Sequence, residues 1–354
     1  MKKTVFIAAL AIVAMASCTK NEISQSTMTN EIKFTTPVLA RHTKSQEING
    51  TLYPTTAPSF NVYAWYNSEA AFNASTASAY MTDVQVSYDS SINDPADDGS
   101  GAWISSPVYY WPKQGVLSFD AYSPNGLSGT VSATAADGIE VVGHTVNTTL
   151  SSQQDFLYAT RAKDKTSSKD TTNATYDGVD IAFNHALAVV KFTAKTKDDY
   201  SGTTTVKIKD IKIQSIKNVG TFEQKESTLS PGWSAQTGSE EYVALTAANF
   251  DASLNLSTTP ANAGSTVIVL PQDFEASTQK LFIEYYLKTN ASGAEAISQT
   301  AELDFYNSTA LADGNKWEMG KRYTYNIVIG LDKIYFAPSV DNWDDVTVTG
   351  INVE

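Results

Sequence analysis

The sequence predicts an all-β protein made of two tandem antiparallel β-sandwich domains. Short runs rich in Val, Tyr and Phe recur along the chain, parted by clusters of Gly, Asn, Asp and Ser, and a spacing of roughly 8–12 residues is the mark of sandwich strands. Beyond residue 18 no segment keeps a sustained helical apolar period, and LTAANFDASL (245–254) offers at most a short turn of helix. The length of 354 residues suits about two domains of roughly 100–200 residues each. With 42% hydrophobic and 18% charged residues the chain is globular rather than disordered.

In chain order, Lys2 and Lys3 precede the apolar stretch TVFIAALAIVAMAS, which is too short to span a bilayer comfortably and reads as a signal peptide over residues 1–17. It ends at Cys18, the only cysteine. MASC (15–18) resembles a bacterial lipobox, with Met15 where Leu is more usual, so Cys18 is the expected lipidation site. The alternative is an ordinary signal peptide with an incidental cysteine. Residues 18–30 read as a polar tether. A first strand is expected over 31–41, with Ile32, Phe34, Val38 and Ala40 on one face and Thr36 between them. Pro37 cannot donate to a ladder, which places this strand at an edge or strand end. The pattern stops at Arg41, before the polar run HTKSQ.

An N-terminal domain over 31–180 takes further strands at 59–66, 81–89, 116–123, 138–146 and 155–161. A long polar segment, 162–178, leads to a boundary near 178–183. A C-terminal domain over 181–354 takes the rest, ending in VTVTGINVE (346–354). In VKIKDIKIQSIK the apolar row runs Val206, Ile208 and then Ile211, Ile213; this change of phase predicts a bulge.

Signals for catalytic or cofactor chemistry are missing from the sequence. The net charge of −13 argues against a nucleic-acid binder, which needs a basic face. Three histidines, His42, His144 and His185, show no metal-ligand spacing, and no nucleophile elbow or phosphate-cradling loop is present. His185 reads as a core or rim histidine. NDPADDG (93–99) reads as a solvated turn. Glycosidic carboxylate pairs depend on spatial arrangement, and the sequence singles none out. No cofactor, metal or enzymatic activity is therefore expected. Trp65, Trp103 and Trp111 are either core residues or a sugar-stacking platform. DTT (170–172) resembles the short O-glycosylation signal of Bacteroidota, at Thr171.

Three blocks together resemble the fimbrillin family, the type V pilins of Bacteroidales. SSPVYYWPKQGVLSFDAYSP (105–124) carries the Tyr-Trp-Pro turn and Phe-x-Ala-Tyr-Ser-Pro strand end. DFLYATRAK (155–163) with IAFNHALAVVKFTAK (181–195) matches a second pair of segments, and WEMGKRYTYNIVIGLDKIYFAPSVDNW (317–343) a third. The resemblance implies two transthyretin-like sandwiches and an outer-membrane surface lipoprotein without enzymatic activity. It implies an Arg-specific surface protease that cuts behind the first strand, by position at Arg41, with Arg161 the competing arginine. The strand bearing Ile32, Phe34, Val38 and Ala40 would then leave, and a strand from the next subunit would fill the groove. The expected donor is the C-terminal segment, through Val346, Val348, Ile351 and Val353. Partners would be other fimbrial subunits, including anchor and tip proteins, and a host glycan or protein. The competing expectation is a surface lipoprotein that never polymerises and either binds glycans or serves as anchor or tip.

Overall fold

The computed structural model describes residues 31–39, 53–56, 59–91, 101–167, 178–306, 315–331 and 334–342, the last stretch for its backbone only. The described chain is almost wholly β. It runs through β1 (Lys33–Phe34), β2 (Val38–Leu39), β3 (Phe60–Asn67), β4 (Ser78–Asp89), β5 (Ala102–Ser106) and β6 (Val116–Ser123). Then come β7 (Thr130–Thr134), β8 (Gly138–Thr145), a single 3₁₀ turn (Leu150–Ser152), β9 (Leu157–Thr160), β10 (Ala162–Lys165) and β11 (Ala182–His185). The remainder holds β12 (Ala188–Thr196), β13 (Thr204–Ile216), β14 (Val219–Glu223), β15 (Gly232–Thr237), β16 (Glu240–Leu245), β17 (Leu254–Asn255), β18 (Ala261–Asn262), β19 (Val267–Val269) and β20 (Gln272–Asp273). Last come β21 (Lys280–Thr289), β22 (Ile297–Asp304), β23 (Lys316–Trp317), β24 (Lys321–Ile329) and β25 (Ile334–Asn342).

The first sheet has nine strands in the order β1-β5-β4-β3-β6-β9-β11-β2, with β10 beside β6. Successive side chains of a strand point to opposite faces, and here both faces are buried. Phe60, Val62 and Ala64 of β3, with Leu117, Phe119 and Ala121 of β6, turn to one core that also takes Trp103, Val179, Ile181 and Phe183. Tyr63, Trp65 and Tyr122 turn to a second core shared with the later strands. That double burial explains why β6 has no exposed residue.

The second core is covered by the other sheets. One is the four-stranded β15-β14-β8-β7, in which strands from before and after residue 178 pair: Phe222 lies opposite Val141 and Gly220 opposite His144. The expected boundary near 178–183 is therefore crossed by a sheet, and residues 31–354 cluster as one compact unit. Pairing is not uniformly antiparallel either. β12 and β24 run parallel from Val189/Arg322 to Thr196/Ile329, which their long connection permits. The bulge in β13 is present. Ile208 faces Tyr285 and Asp210 faces Glu284 on β21, leaving Lys209 as the extra residue, so Ile208 and Ile211 can both be buried.

Candidate functional site

The first sheet would have two open edges, one at β5 and one at residues 179–183, and the segment 31–39 occupies both. On one side Lys33 pairs with Ile104 and Phe34 with Trp103, antiparallel, while the Ile32 amide donates to Tyr109 O at 2.8 Å. On the other side the segment runs parallel to β11. Val179 N donates to Lys33 O at 2.8 Å, Thr35 N to Val179 O at 3.2 Å and Val38 N to Ile181 O at 3.0 Å. Val38 and Leu39 then pair with Ala182 and Phe183. One short segment thus joins the two ends of the sheet, removing edges that would otherwise invite pairing with another strand.

Its inward side chains are Ile32, Phe34, Pro37 and Leu39. Phe34 meets Phe60 and Phe119 edge-on, at 5.9 and 5.8 Å. The expectation for Val38 is corrected here. Val38 is 47% exposed and Leu39 only 6%, because Thr35 and Thr36 both turn away from the core and shift the row by one residue. A proline cannot make the ladder bond that would keep the period, and it disfavours helical backbone just before it. Pro37 O instead accepts from Tyr53 N at 2.7 Å. Burying Ile32, Phe34 and Leu39 contributes about 5–9 kcal/mol before ordering costs.

The far side of the slot is shaped by small details. Gly178 has φ +96°, and a Cβ there would lie 2.8 Å from both Phe34 C and Thr35 N; only glycine lets the two backbones approach this closely. Thr35 Oγ1 donates to Asp180 Oδ1 at 3.1 Å. Beneath the segment, Tyr53 packs on Phe60, Trp103 and Phe183. Its hydroxyl lies 2.6 Å from Ser123 Oγ, and burial pushes its pKa up to about 12. Leu39 and Gly178 escaped the sequence reading, and Pro37, read there only as an edge or strand-end mark, was the visible sign of a phase break.

Ala40, Arg41, His42, Cys18, Thr171, Val346, Val348, Ile351 and Val353 lie outside the described residues. The chain has three arginines, and the other two are buried: Arg161 is 5% and Arg322 6% exposed. Arg161 grips Asp120 with two bonds, Nε to Oδ1 at 2.9 Å and Nη2 to Oδ2 at 2.6 Å, and donates from Nη1 to Ala135 O. Trp65 Nε1 donates to the same carboxylate at 2.7 Å. Trp65, Trp103 and Trp111 are 7%, 1% and 5% exposed; they are core residues and present no sugar-stacking surface. His185 sits in the core with Nδ1 2.8 Å from Asp155 Oδ2.

The fold and this slot define a class of protein: an all-β chain whose leading segment completes a sheet made by later strands. A family model described as fimbrillin-like matches residues 60–343, and the chain belongs to that family. It resembles the crystal structure of a fimbrial protein from Bacteroides vulgatus, at 17% identity and a TM-score of 0.64, over 88% of this chain and 99% of that one. A cell adhesion protein described as such from Bacteroides uniformis gives 16% identity and a TM-score of 0.49, over 88% and 97%. A tip fimbrial protein from Porphyromonas gingivalis gives 12% and 0.37, over 81% and 94%. At such identities the likeness is one of fold. No curated protein matches by sequence.

Proposed function

We propose that the chain is a structural subunit of a cell-surface fimbria that supports adhesion. It is exported as a lipoprotein through Cys18, held at the outer membrane and polymerised by strand exchange after an Arg-specific protease cuts behind the first strand. The observation that carries this reading is the slot. Residues 31–39 are bonded on both sides yet pair through only two short strands, and Arg41 follows them while Arg161 and Arg322 are buried. Once cut, the segment is held by non-covalent contacts alone, and its loss exposes two ladders and an aromatic groove. Such a groove is filled by a strand of another subunit, ladder bonds giving affinity and alternate pockets giving register.

The test uses residues 19–354, the chain without its lipid-bearing Cys18, treated with an Arg-specific protease and followed by N-terminal sequencing and unboiled SDS gels. One cut after Arg41 and a ladder of SDS-resistant multimers are expected, with Arg41→Ala remaining monomeric. A cut chain that stays monomeric with 31–41 still bound would overturn the polymer reading and leave an anchor-like or glycan-binding lipoprotein.

A further inference from the structure

The slot imposes a phase as well as an apolar face. Counting from Ile32, the inward residues fall at steps 0, 2, 5 and 7: Ile32, Phe34, Pro37 and Leu39. Steps 3 and 4, Thr35 and Thr36, both face away. The C-terminal sequence repeats this row in the same direction, with Val346, Val348, Ile351 and Val353 at steps 0, 2, 5 and 7, and Thr349 and Gly350 at the break. Even the preceding residue matches in charge, Glu31 against Asp345.

We infer that the slot selects its occupant by this broken phase, and that Gly350 is the residue that sets the phase of the incoming segment 346–353 of a second copy. The inference rests on the strand-exchange reading above. The backbone demands of the slot agree with it. Tyr109 O, Val179 O and Ile181 O need N–H donors at steps 0, 3 and 6, and Val179 N and Tyr53 N need carbonyls at steps 1 and 5. In the C-terminal segment those positions are Val346, Thr349 and Asn352 for the donors and Thr347 and Ile351 for the acceptors; none of the three donors is proline, so every bond can be remade. A strand in unbroken alternation fails here. With steps 0 and 2 seated, its next apolar residues fall at 4 and 6, outward, because a slip of one residue turns every later side chain to the wrong face.

Thr349 and Gly350 take the place of Thr35 and Thr36 in the resident segment, with Gly350 the added residue that carries the row from step 2 to step 5. The same row occurs in β13, as Val206, Ile208, Ile211 and Ile213, but that strand is paired along both sides and is not free to enter the slot.

The experiment compares three mature full-length chains after cleavage at Arg41: the natural sequence, Gly350→Ala, and a deletion of Gly350 that moves Ile351 and Val353 to steps 4 and 6. Multimer ladders are scored on unboiled SDS gels, and thermal unfolding of the uncut chains checks that all three fold alike. Ladders from the natural chain and Gly350→Ala, with at least a tenfold loss for the deletion, are expected. Equal ladders from all three would overturn the phase rule and leave strand exchange standing. Loss in both variants would assign Gly350 a backbone role in place of the phase rule. No ladder from any chain, the natural one included, would remove the reading on which the inference rests.

Discussion

The segment 31–39 and β13 bury the same row of side chains, at steps 0, 2, 5 and 7, yet they are held in different ways. β13 is thirteen residues long. It pairs with β21 from Thr204 to Gln214, and with β16 and β17 on its other side. The leading segment has two residues paired to β5, two to β11 and a few isolated bonds. Hydrophobic pattern therefore does not distinguish a strand laced along both sides from one held by a few bonds. What distinguishes them is the number of ladder bonds and, on the proposed function, whether a single cut after Arg41 severs the strand from the rest of the chain.

Side-chain truncation should break the comparison most strongly. Ile211, fully buried in β13, becomes alanine at a loss of about 2–5 kcal/mol, and Phe34→Ala costs about 3–5 kcal/mol, both read by urea unfolding of the uncut chain. After cleavage and exchange the two should part. Ile211→Ala still weakens the assembled chain, whereas Phe34→Ala does not, since Phe34 has left. Equal penalties in the assembled state would mean that the segment never leaves.

The next effect separates the two cores by pH. His144 of β8 is buried against the rings of Phe156 and Trp233, at 5.4 and 5.5 Å. Its Nδ1 lies 2.9 Å from Ser128 Oγ, and its Nε2 has no hydrogen-bond partner among the described residues. Burial pulls its pKa down from 6.5 to about 4. The unfolded chain thus takes the proton first. Stability is complete above pH 6.5 and falls by about 1.4 kcal/mol per pH unit as pH drops toward 4, roughly 3 kcal/mol in all. Urea titrations at pH 7.5 and 4.5 should show this loss in the natural chain and a smaller one in His144→Gln. An unchanged slope in the variant would exclude His144 as its source.

The smallest effect sharpens the view of the slot itself. Gly178→Ala combines a positive φ with a clash against the backbone of Phe34 and Thr35, a strain of about 1–3 kcal/mol. Amide exchange at Thr35 and Val38 should quicken while that of β13 is unchanged. Uniform quickening would show that the segment and the body open together.

Much of this protein is legible in its sequence. Short β-rich runs parted by turn residues specify an all-β chain, because alternation and turn chemistry are local properties. The β13 bulge could be read directly from Ile208 and Ile211. The family resemblance lay in contiguous motifs that survive without any knowledge of contacts. Tertiary structure alone decided which strands share a sheet. β7 and β8 pair with β14 and β15 across the expected boundary, and β12 runs parallel to β24, because long-range pairing depends on how separate segments cover one another's apolar faces. It also decided which residue after Pro37 points inward. Strict alternation favours Val38, but Leu39 is the buried one, since the bonds to Val179, Ile181 and Tyr53 come from chain far away and fix the phase of the segment they hold.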